Sequence, residues 1–288
     1  MALGARLIEA LGGPPCRTPR KCRGWEAQCA AVYYLLGKAK LCKADCGIAA
    51  LPKSAMCGEE VRPDIPLPEE PKIYIDLGLW DIHTEAEKNE LVEQVVASIA
   101  VVRRHLFDSN LVLARTPAEF LEKFNKMAKG MRHAAAISRE PPPPTAAVLD
   151  PEGPLVLTED VVRAEPAFIV GGVVDKERIY KGATSRLAAS IGASKRYRIE
   201  LRGSTVGVPD RINKVIEILL AVRFGASLEE AIIAAQAKRD KLYRLVAELQ
   251  RMAKGGKAPR APAEAVARWL RAEGLLEMAA KKARIVLE

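Results

Sequence analysis

An α/β fold built on a mostly parallel sheet is predicted for this 288-residue chain, and three observations predict it. Strand-like and helix-like segments alternate from residue 72 to residue 225, as crossover connections between parallel strands require. Helix-start signals follow the strand-like runs: Thr84-Glu85-Ala86-Glu87 and Thr116-Pro117-Ala118-Glu119 each set a Thr three residues before a Glu, so that each side chain can satisfy a free amide at the other residue. The apolar run Ala167 to Val174 contains a glycine pair, the kind of punctuation found where an α/β sheet binds ligands at its carboxyl edge.

The elements follow in order. Pro63-Asp64-Ile65-Pro66-Leu67-Pro68-Glu69-Glu70-Pro71 is stiff and polar, and reads as a linker or strap. Lys72 to Leu79 is a buried strand. The helix opened at Thr84 carries Leu91, Val95, Ile99 and Val102 at helical spacing and ends near Arg104. Asn110 to Arg115 is a second strand, followed by a helix with Pro117 at its first position and Phe120, Phe124 and Met127 along it. Four prolines at 141–144 break the pattern, after which Leu155 to Thr158 and Ala167 to Val174 are strands. Gly182 to Ile191 is helical, Tyr197 to Leu201 extended, and Arg211 to Val222 helical with Ile212, Val215, Ile216, Leu219 and Leu220 as its buried stripe. Ser227-Leu228-Glu229-Glu230 is a third capping box, starting a helix expected to continue into Lys238-Arg239-Asp240-Lys241. Gly255 to Pro262 reads as a linker, Ala263 to Leu276 as one or two short helices, and Arg284 to Leu287 as a strand. The expected division is therefore 1–70, 71–235 and 236–288, a main domain with small appended N- and C-terminal domains.

Charge follows the same division. The net +9 is uneven: residues 1–70 carry 10 basic and 8 acidic side chains, residues 71–235 carry 22 of each, and residues 236–288 carry 13 and 6. A neutral body with a basic end suits a polyanion-binding arm, because clustered Lys and Arg displace counterions from phosphates, although a solvated basic face would read the same. No run reaches the roughly 18 apolar residues a membrane span needs, and Met1 to Gly13 lacks a signal peptide's apolar region, so a cytoplasmic protein with no membrane partner is expected. Only eight residues are Asn or Gln, while charged residues are plentiful, a bias seen in thermophilic proteins.

That bias bears on the six cysteines, Cys16, Cys22, Cys29, Cys42, Cys46 and Cys57, which are confined to the first fifth of the chain. No Cys-x2-Cys pair occurs among them, so structural disulfides or buried thiols rank ahead of a metal site, and redox catalysis comes last. His83, His105 and His133 have no metal-ligand spacing and read as ordinary loop or helix residues. Trp25, Tyr33 and Tyr34 read as packing for a small N-terminal core before base-stacking groups.

Chemistry concentrates in Phe168-Ile169-Val170-Gly171-Gly172-Val173-Val174-Asp175-Lys176, where two glycines follow a strand and a carboxylate comes three residues after the second. Glycines there let backbone approach a ligand closely. A plain Gly-Gly turn with a surface Asp would have the same pattern. No Gly-x-Gly-x-x-Gly follows the first strand and no Gly-x4-Gly-Lys-Ser/Thr occurs, so neither an ordinary dinucleotide site nor a phosphate loop fits.

With its neighbours, that segment resembles the tRNA position-9 N1-purine methyltransferases of the SPOUT superfamily, especially the archaeal members. The matching segments are the opening strand with Asp76, Pro154 to Glu159, Val170 to Lys181 with its Gly-Gly-Val-Val-Asp-Lys, Arg198 to Val208, and Val208 to Leu220, in that order across about residues 70–235. The resemblance implies a SPOUT-type sheet with a deep C-terminal trefoil knot that holds S-adenosylmethionine. It implies a cofactor pocket lined around Leu157, Gly171, Gly172, Leu201, Gly203, Ile212 and Asn213, with Asp175 as the active-site aspartate and no metal. Asp76 is a second acidic candidate, read first as terminating its strand and supporting the next helix. The implied partner is tRNA, gripped by both extensions, and the implied state is monomeric. The implied reaction is methylation at N1 of the purine at position 9, adenine favoured over guanine, or both; a methyltransferase of another RNA base and a non-catalytic RNA-binding protein are the alternatives. Glu200-Leu201-Arg202-Gly203-Ser204-Thr205 and Val208-Pro209-Asp210-Arg211 depart from the eukaryotic pattern, and the first 60 residues lie outside the resemblance.

Overall fold

The computed structural model describes residues 3–175, 177 and 180–288; Lys176 of the glycine-aspartate segment lies outside the described residues. The N-terminal part packs α1 (Leu3–Leu11) and α2 (Glu26–Leu35) against a three-stranded antiparallel sheet of β1 (Ala39–Ala44), β2 (Gly47–Pro52) and β3 (Glu60–Val61), in the order β2-β1-β3. Its core is small, with Leu3, Leu7, Val32, Leu41 and Ile65 at its centre and Tyr33 and Tyr34 packed against it. A core of this size is marginal by itself and gains from covalent cross-links. All six cysteines supply them, paired Cys16–Cys46, Cys22–Cys29 and Cys42–Cys57. Two polar ties dock this unit on the rest: buried Gln28 donates to the Arg103 and Leu106 carbonyls at 2.9 Å each, and Arg132 donates to the Leu36 and Gly37 carbonyls. The proline-rich strap is pinned by buried Asn110, whose amide donates to the carbonyls of Pro68 and Pro71.

The main sheet begins with β4 (Lys72–Asp76), followed by α3 (Glu85–Arg103), β5 (Leu111–Ala114), α4 (Ala118–Met127), β6 (Ala136–Ile137), β7 (Ala147–Leu149), β8 (Leu155–Val156), α5 (Glu159–Ala164), β9 (Ala167–Gly171), α6 (Ala183–Ser190), β10 (Arg196–Arg198) and α7 (Ile212–Arg223). The seven strands run in the order β6-β5-β4-β9-β7-β10-β8, and every described pairing is parallel. Successive strand residues face opposite sides. Ile73, Ile75, Phe168 and Val170 enter the large core on one face, while Tyr74, Ile169 and Val148 meet Ala188 of α6 on the other. From β4 the chain winds outward one way through β5 and β6, then returns to the other side through β7 to β10, so the β4/β9 boundary is where the winding reverses. Asp76 pairs with Gly171 there, which brings both strand ends to the same carboxyl edge.

Thr84 forms its capping box with Glu87, and α3 ends at Arg103 as expected. The box expected at Thr116 does not form. Its Glu119 instead accepts from Trp80 Nε1 and Lys88 Nζ at 2.9 Å each, and the Thr116 hydroxyl donates to the Leu113 carbonyl. A charged tertiary partner outcompetes a local cap of about 1 kcal/mol. Met127, unlike Phe120 and Phe124, is exposed.

The Ser227 box opens α8 (Leu228–Ala235), but that helix does not run on into the basic stretch; it stops, and α9 (Lys238–Met252) starts anew, with the Asp240 carboxylate accepting from the Ala237 amide. Nor is 255–262 a linker: β11 (Lys257–Ala258) and α10 (Arg260–Trp269) occupy it, and after α11 (Leu276–Ala283) the terminal β12 (Val286–Leu287) returns to pair parallel with β11. Leu245, Leu249, Ala267, Leu270 and Ala279 belong to the same apolar core as the main sheet. No helix among the described residues is long and apolar enough to cross a membrane.

Candidate functional site

A cleft of about 910 Å³ opens at the carboxyl edge beside β9 and β7, a volume suited to a nucleoside-sized ligand. Three wall segments are local in sequence: Leu149 to Glu152 after β7, Val170 to Asp175 after β9, and Thr205 to Val215 leading into α7. Two are contributed from afar, Glu90 and Gln94 of α3 and Ala237 to Asp240 at the start of α9. Apolar side chains of Leu149, Val170, Ile199, Val208, Ile212 and Val215 line the interior, and Asp150, Glu152, Asp175, Lys181, Asp210 and Lys214 add charge.

Each wall is fixed by identifiable contacts. Gly172 must be glycine, since a Cβ there would lie 2.8 Å from the Asp76 carbonyl, to which the Gly172 amide donates. A Cβ on Gly171 would lie 3.0 Å from Thr184 Oγ1. Beyond them, the Val174 amide donates to His83 Nε2 at 3.1 Å, and His83 Nδ1 is 3.1 Å from the Trp80 carbonyl. A nitrogen that accepts cannot carry the proton, so the ring is the Nδ1–H tautomer donating to Trp80. Buried Glu87, already the cap of α3, also accepts from the Glu177 amide at 2.9 Å and lies 2.9 Å from the Tyr180 hydroxyl. The amino end of α3 thus grips the segment that carries Asp175 on both sides.

Asp175 itself is exposed at the cleft mouth. Its carboxyl is held above the usual aspartate range, first by partial loss of solvent, against the Tyr180 amide, which donates to it and favours ionisation; the Glu87 and Asp210 carboxylates push the same way as desolvation. Exposure limits the size of this effect, and its direction suits an acceptor of protons.

The third wall is clamped from the C-terminal part. Arg202, at the left-handed φ of 49°, forks onto Glu229 of α8 with two 2.9 Å bonds and stacks over Trp269 of α10 at 3.9 Å. Trp269 Nε1 donates to the same Glu229 at 2.8 Å. Buried Arg244 of α9 donates to the Val206 carbonyl and Gln236 to the Gly207 carbonyl. Gly207, at φ 79°, sits so close that a Cβ would be 2.7 Å from Arg244 Cβ.

Of the residues singled out from sequence, Gly171, Asp175 and Ile212 line the cleft. Gly172 and Leu157 are buried behind its walls, Leu201 is buried within the tight 201–204 turn, and Gly203 is exposed on that turn. Asn213 is partly buried outside the lining, its Oδ1 without a hydrogen-bond partner among the described residues. Asp76 is fully buried and faces Arg115, with bonds of 2.7 and 2.5 Å, and it accepts from the Gly78 amide. Sequence reasoning missed Glu87, Glu90, Gln94, Asp150 and Glu152. The capping box pointed to Glu87, but only as a cap; nothing local to these residues marks them as neighbours of Asp175.

No family model matches the chain. The tRNA (adenine(9)-N1)-methyltransferase of Sulfolobus acidocaldarius is 41% identical over 211 residues, which cover 73% of this chain and 68% of that protein. The tRNA (guanine(9)-/adenine(9)-N1)-methyltransferase of Thermococcus kodakarensis is 32% identical over 204 residues, 68% of this chain and 54% of that protein. Among solved structures, Sulfolobus acidocaldarius Trm10 in complex with S-adenosylhomocysteine matches with a TM-score of 0.71 at 31% identity, covering 98% of this chain and 99% of that one. A dual specific Trm10 from Thermococcus kodakaraensis matches with a TM-score of 0.51 at 31% identity, over 58% of this chain and 99% of that one.

Proposed function

The chain belongs to the family of tRNA position-9 N1-methyltransferases, and from that premise we propose that it methylates N1 of the purine at position 9 of tRNA, adenine in preference to guanine, with S-adenosylmethionine as methyl donor. The observation that carries this reading is the meeting, in one cleft, of an apolar nucleoside-sized interior with Asp175 at its mouth. The donor set fits the cofactor: Leu149, Val170, Ile199 and Ile212 suit an adenine ring, exposed Glu152 suits hydroxyl and ammonium groups, and Lys181 or Lys214 suits a carboxylate. Gly171 lets α6 pack close behind this wall, since a Cβ there would press on Thr184 and Leu187. When bound, the cofactor supplies an electrophilic methyl group on sulfur.

The rest of the chemistry falls to the chain. Guanine N1 bears a proton that must leave as the N–C bond forms, and Asp175 accepts it, its raised affinity for protons bringing it closer to the working pH. Adenine N1 already presents a lone pair, so there Asp175 holds the exocyclic amine or offsets the positive charge of the product. His83 and Glu87 hold the loop that aims it. The trefoil knot in the C-terminal half of the 71–235 domain, the cofactor-facing backbone at Leu157, Gly172, Leu201, Gly203 and Asn213, a monomeric state, a cytoplasmic location and tRNA grip by residues 1–70 and 236–288 are parts of the same proposal.

Labelled cofactor incubated with two tRNA transcripts that differ only in A or G at position 9 tests it. Incorporation into both, faster into A, is expected; incorporation into neither sinks the reading, and cofactor binding without any transfer would favour a non-catalytic RNA-binding protein. A second expectation concerns the clamped wall. Gly207→Ala combines a left-handed backbone with a clash against α9, together about 1–3 kcal/mol. That strain is expected to displace the 205–211 segment and lower calorimetric affinity for S-adenosylhomocysteine about tenfold. Unchanged affinity in a variant of normal thermal stability would mean the wall does not depend on α9.

A further inference from the structure

Arg239 both lines the cleft and belongs to a second cluster outside it. One turn along α9, Tyr243 is 46% exposed, leaving part of its ring accessible. Two cations from different elements flank its ring: Lys282 Nζ of α11 at 4.5 Å from the centroid and Arg239 Cζ at 5.8 Å. Neither Lys282 nor Arg239 has an ion-pair partner among the described residues. Lys238 and Lys281 extend the positive charge on either side, and both are exposed. The other aromatic of this region, Trp269, is by contrast only partly exposed, and Glu229 both accepts from its indole N–H and neutralises the Arg202 stacked on its ring. Tyr243 thus keeps ring surface open to solvent, between cations without acids to neutralise them, on the helix whose first turn forms the cleft wall.

We propose that Tyr243, with Arg239 and Lys282, is a stacking platform for one unpaired nucleobase of the RNA next to the target nucleotide. The proposal rests on the RNA-methylating reading above. A purine whose N1 is methylated must leave its stack for the edge to reach the cleft, and its neighbours on the strand lose a stacking partner as it goes. An aromatic ring gives such a base a new stacking surface whatever its identity, and the two cations pair with the phosphates that lead to and from it. The same helix then receives the neighbour and bounds the cofactor cleft, which sets the distance between the two.

The test uses the full chain and needs no turnover. Anisotropy of fluorescently labelled tRNA with Tyr243→Ala is expected to show binding weakened about tenfold, with Tyr243→Phe recovering most of it because the ring is kept. Lys282→Gln is expected to reduce the salt dependence of binding, as loss of one phosphate contact does. In the methylation assay the loss in Tyr243→Ala should fall on KM for tRNA with little change in kcat, and its affinity for S-adenosylhomocysteine should match the parent. Placing an abasic nucleotide on one side or the other of the target should, on one side, weaken parent binding and remove the difference between parent and Tyr243→Ala. Equal binding by Tyr243→Ala and parent overturns the platform, as does a penalty that persists with both abasic RNAs or a parent that binds no RNA. A parent that binds tRNA through Tyr243 yet transfers no methyl group keeps the platform and overturns the methyltransferase reading instead.

Discussion

Asp175→Asn is expected to slow guanine-9 methylation by about 10²- to 10⁴-fold, the usual contribution of a positioned general base. Adenine-9 methylation should fall far less, by roughly tenfold, because there the carboxylate contributes charge and orientation and removes no proton. The pH profile carries a second signature. A base works when ionised, and Asp175 is held above the ordinary aspartate range by desolvation and by Glu87 and Asp210. The acid limb for the guanine substrate should therefore lie at higher pH than an unperturbed aspartate gives, and it should vanish in Asp175→Asn. Stability moves the other way. Because the folded chain raises this pKa, it favours the protonated form, so ionised Asp175 costs stability at neutral pH and that cost disappears as pH falls through the raised value. The Asn variant should consequently melt no lower than the parent at pH 7. Equal kinetic losses on both bases would show that proton removal is not the distinctive duty of Asp175.

Asp76→Ala should show the opposite pattern, a large loss of stability. Asp76 is completely buried, Arg115 forks onto it, and the Gly78 amide completes its acceptors. Removing one partner of a buried pair costs about 3–5 kcal/mol, and the partial exposure of Arg115 places this case near the lower end. In a chain of this size that is roughly 5–8 °C in melting temperature. The double replacement Asp76→Leu with Arg115→Met should restore much of it, since no charge is then left unpaired. If Asp76→Asn melts like the parent yet abolishes methyl transfer, Asp76 acts in the chemistry and the structural account fails.

The regular elements of the main domain were legible because their signals are local. Short apolar runs identified β4, β5 and β9, helical spacing identified α3 and α7, and the Thr84 and Ser227 capping boxes marked helix starts to the residue. The errors share one cause. Glu119 left its cap for Lys88 and Trp80, the helix from Ser227 broke so that Gln236 could reach the Gly207 carbonyl, and the supposed linker at 255–262 was recruited by β12 from the chain terminus. In each case a partner distant in sequence outbid a local preference worth about 1 kcal/mol.

The same boundary divides the site. What the amino-acid sequence determined by itself was the glycine pair at a strand's end with Asp175 after it, the concentration of cysteines in the N-terminal part, and the excess of positive charge in the last 53 residues. Those are properties of adjacent residues. Which cysteines pair, that Asp76 meets Arg115 instead of the cleft, that His83 and Glu87 hold the Asp175 segment, and that α9 forms a cleft wall were decided only by tertiary structure. The glycines are legible because a missing side chain changes what the local backbone can do. The groups that aim and tune Asp175 act through space from other elements, and their roles depend on distances and solvent exclusion that exist only once the chain has folded.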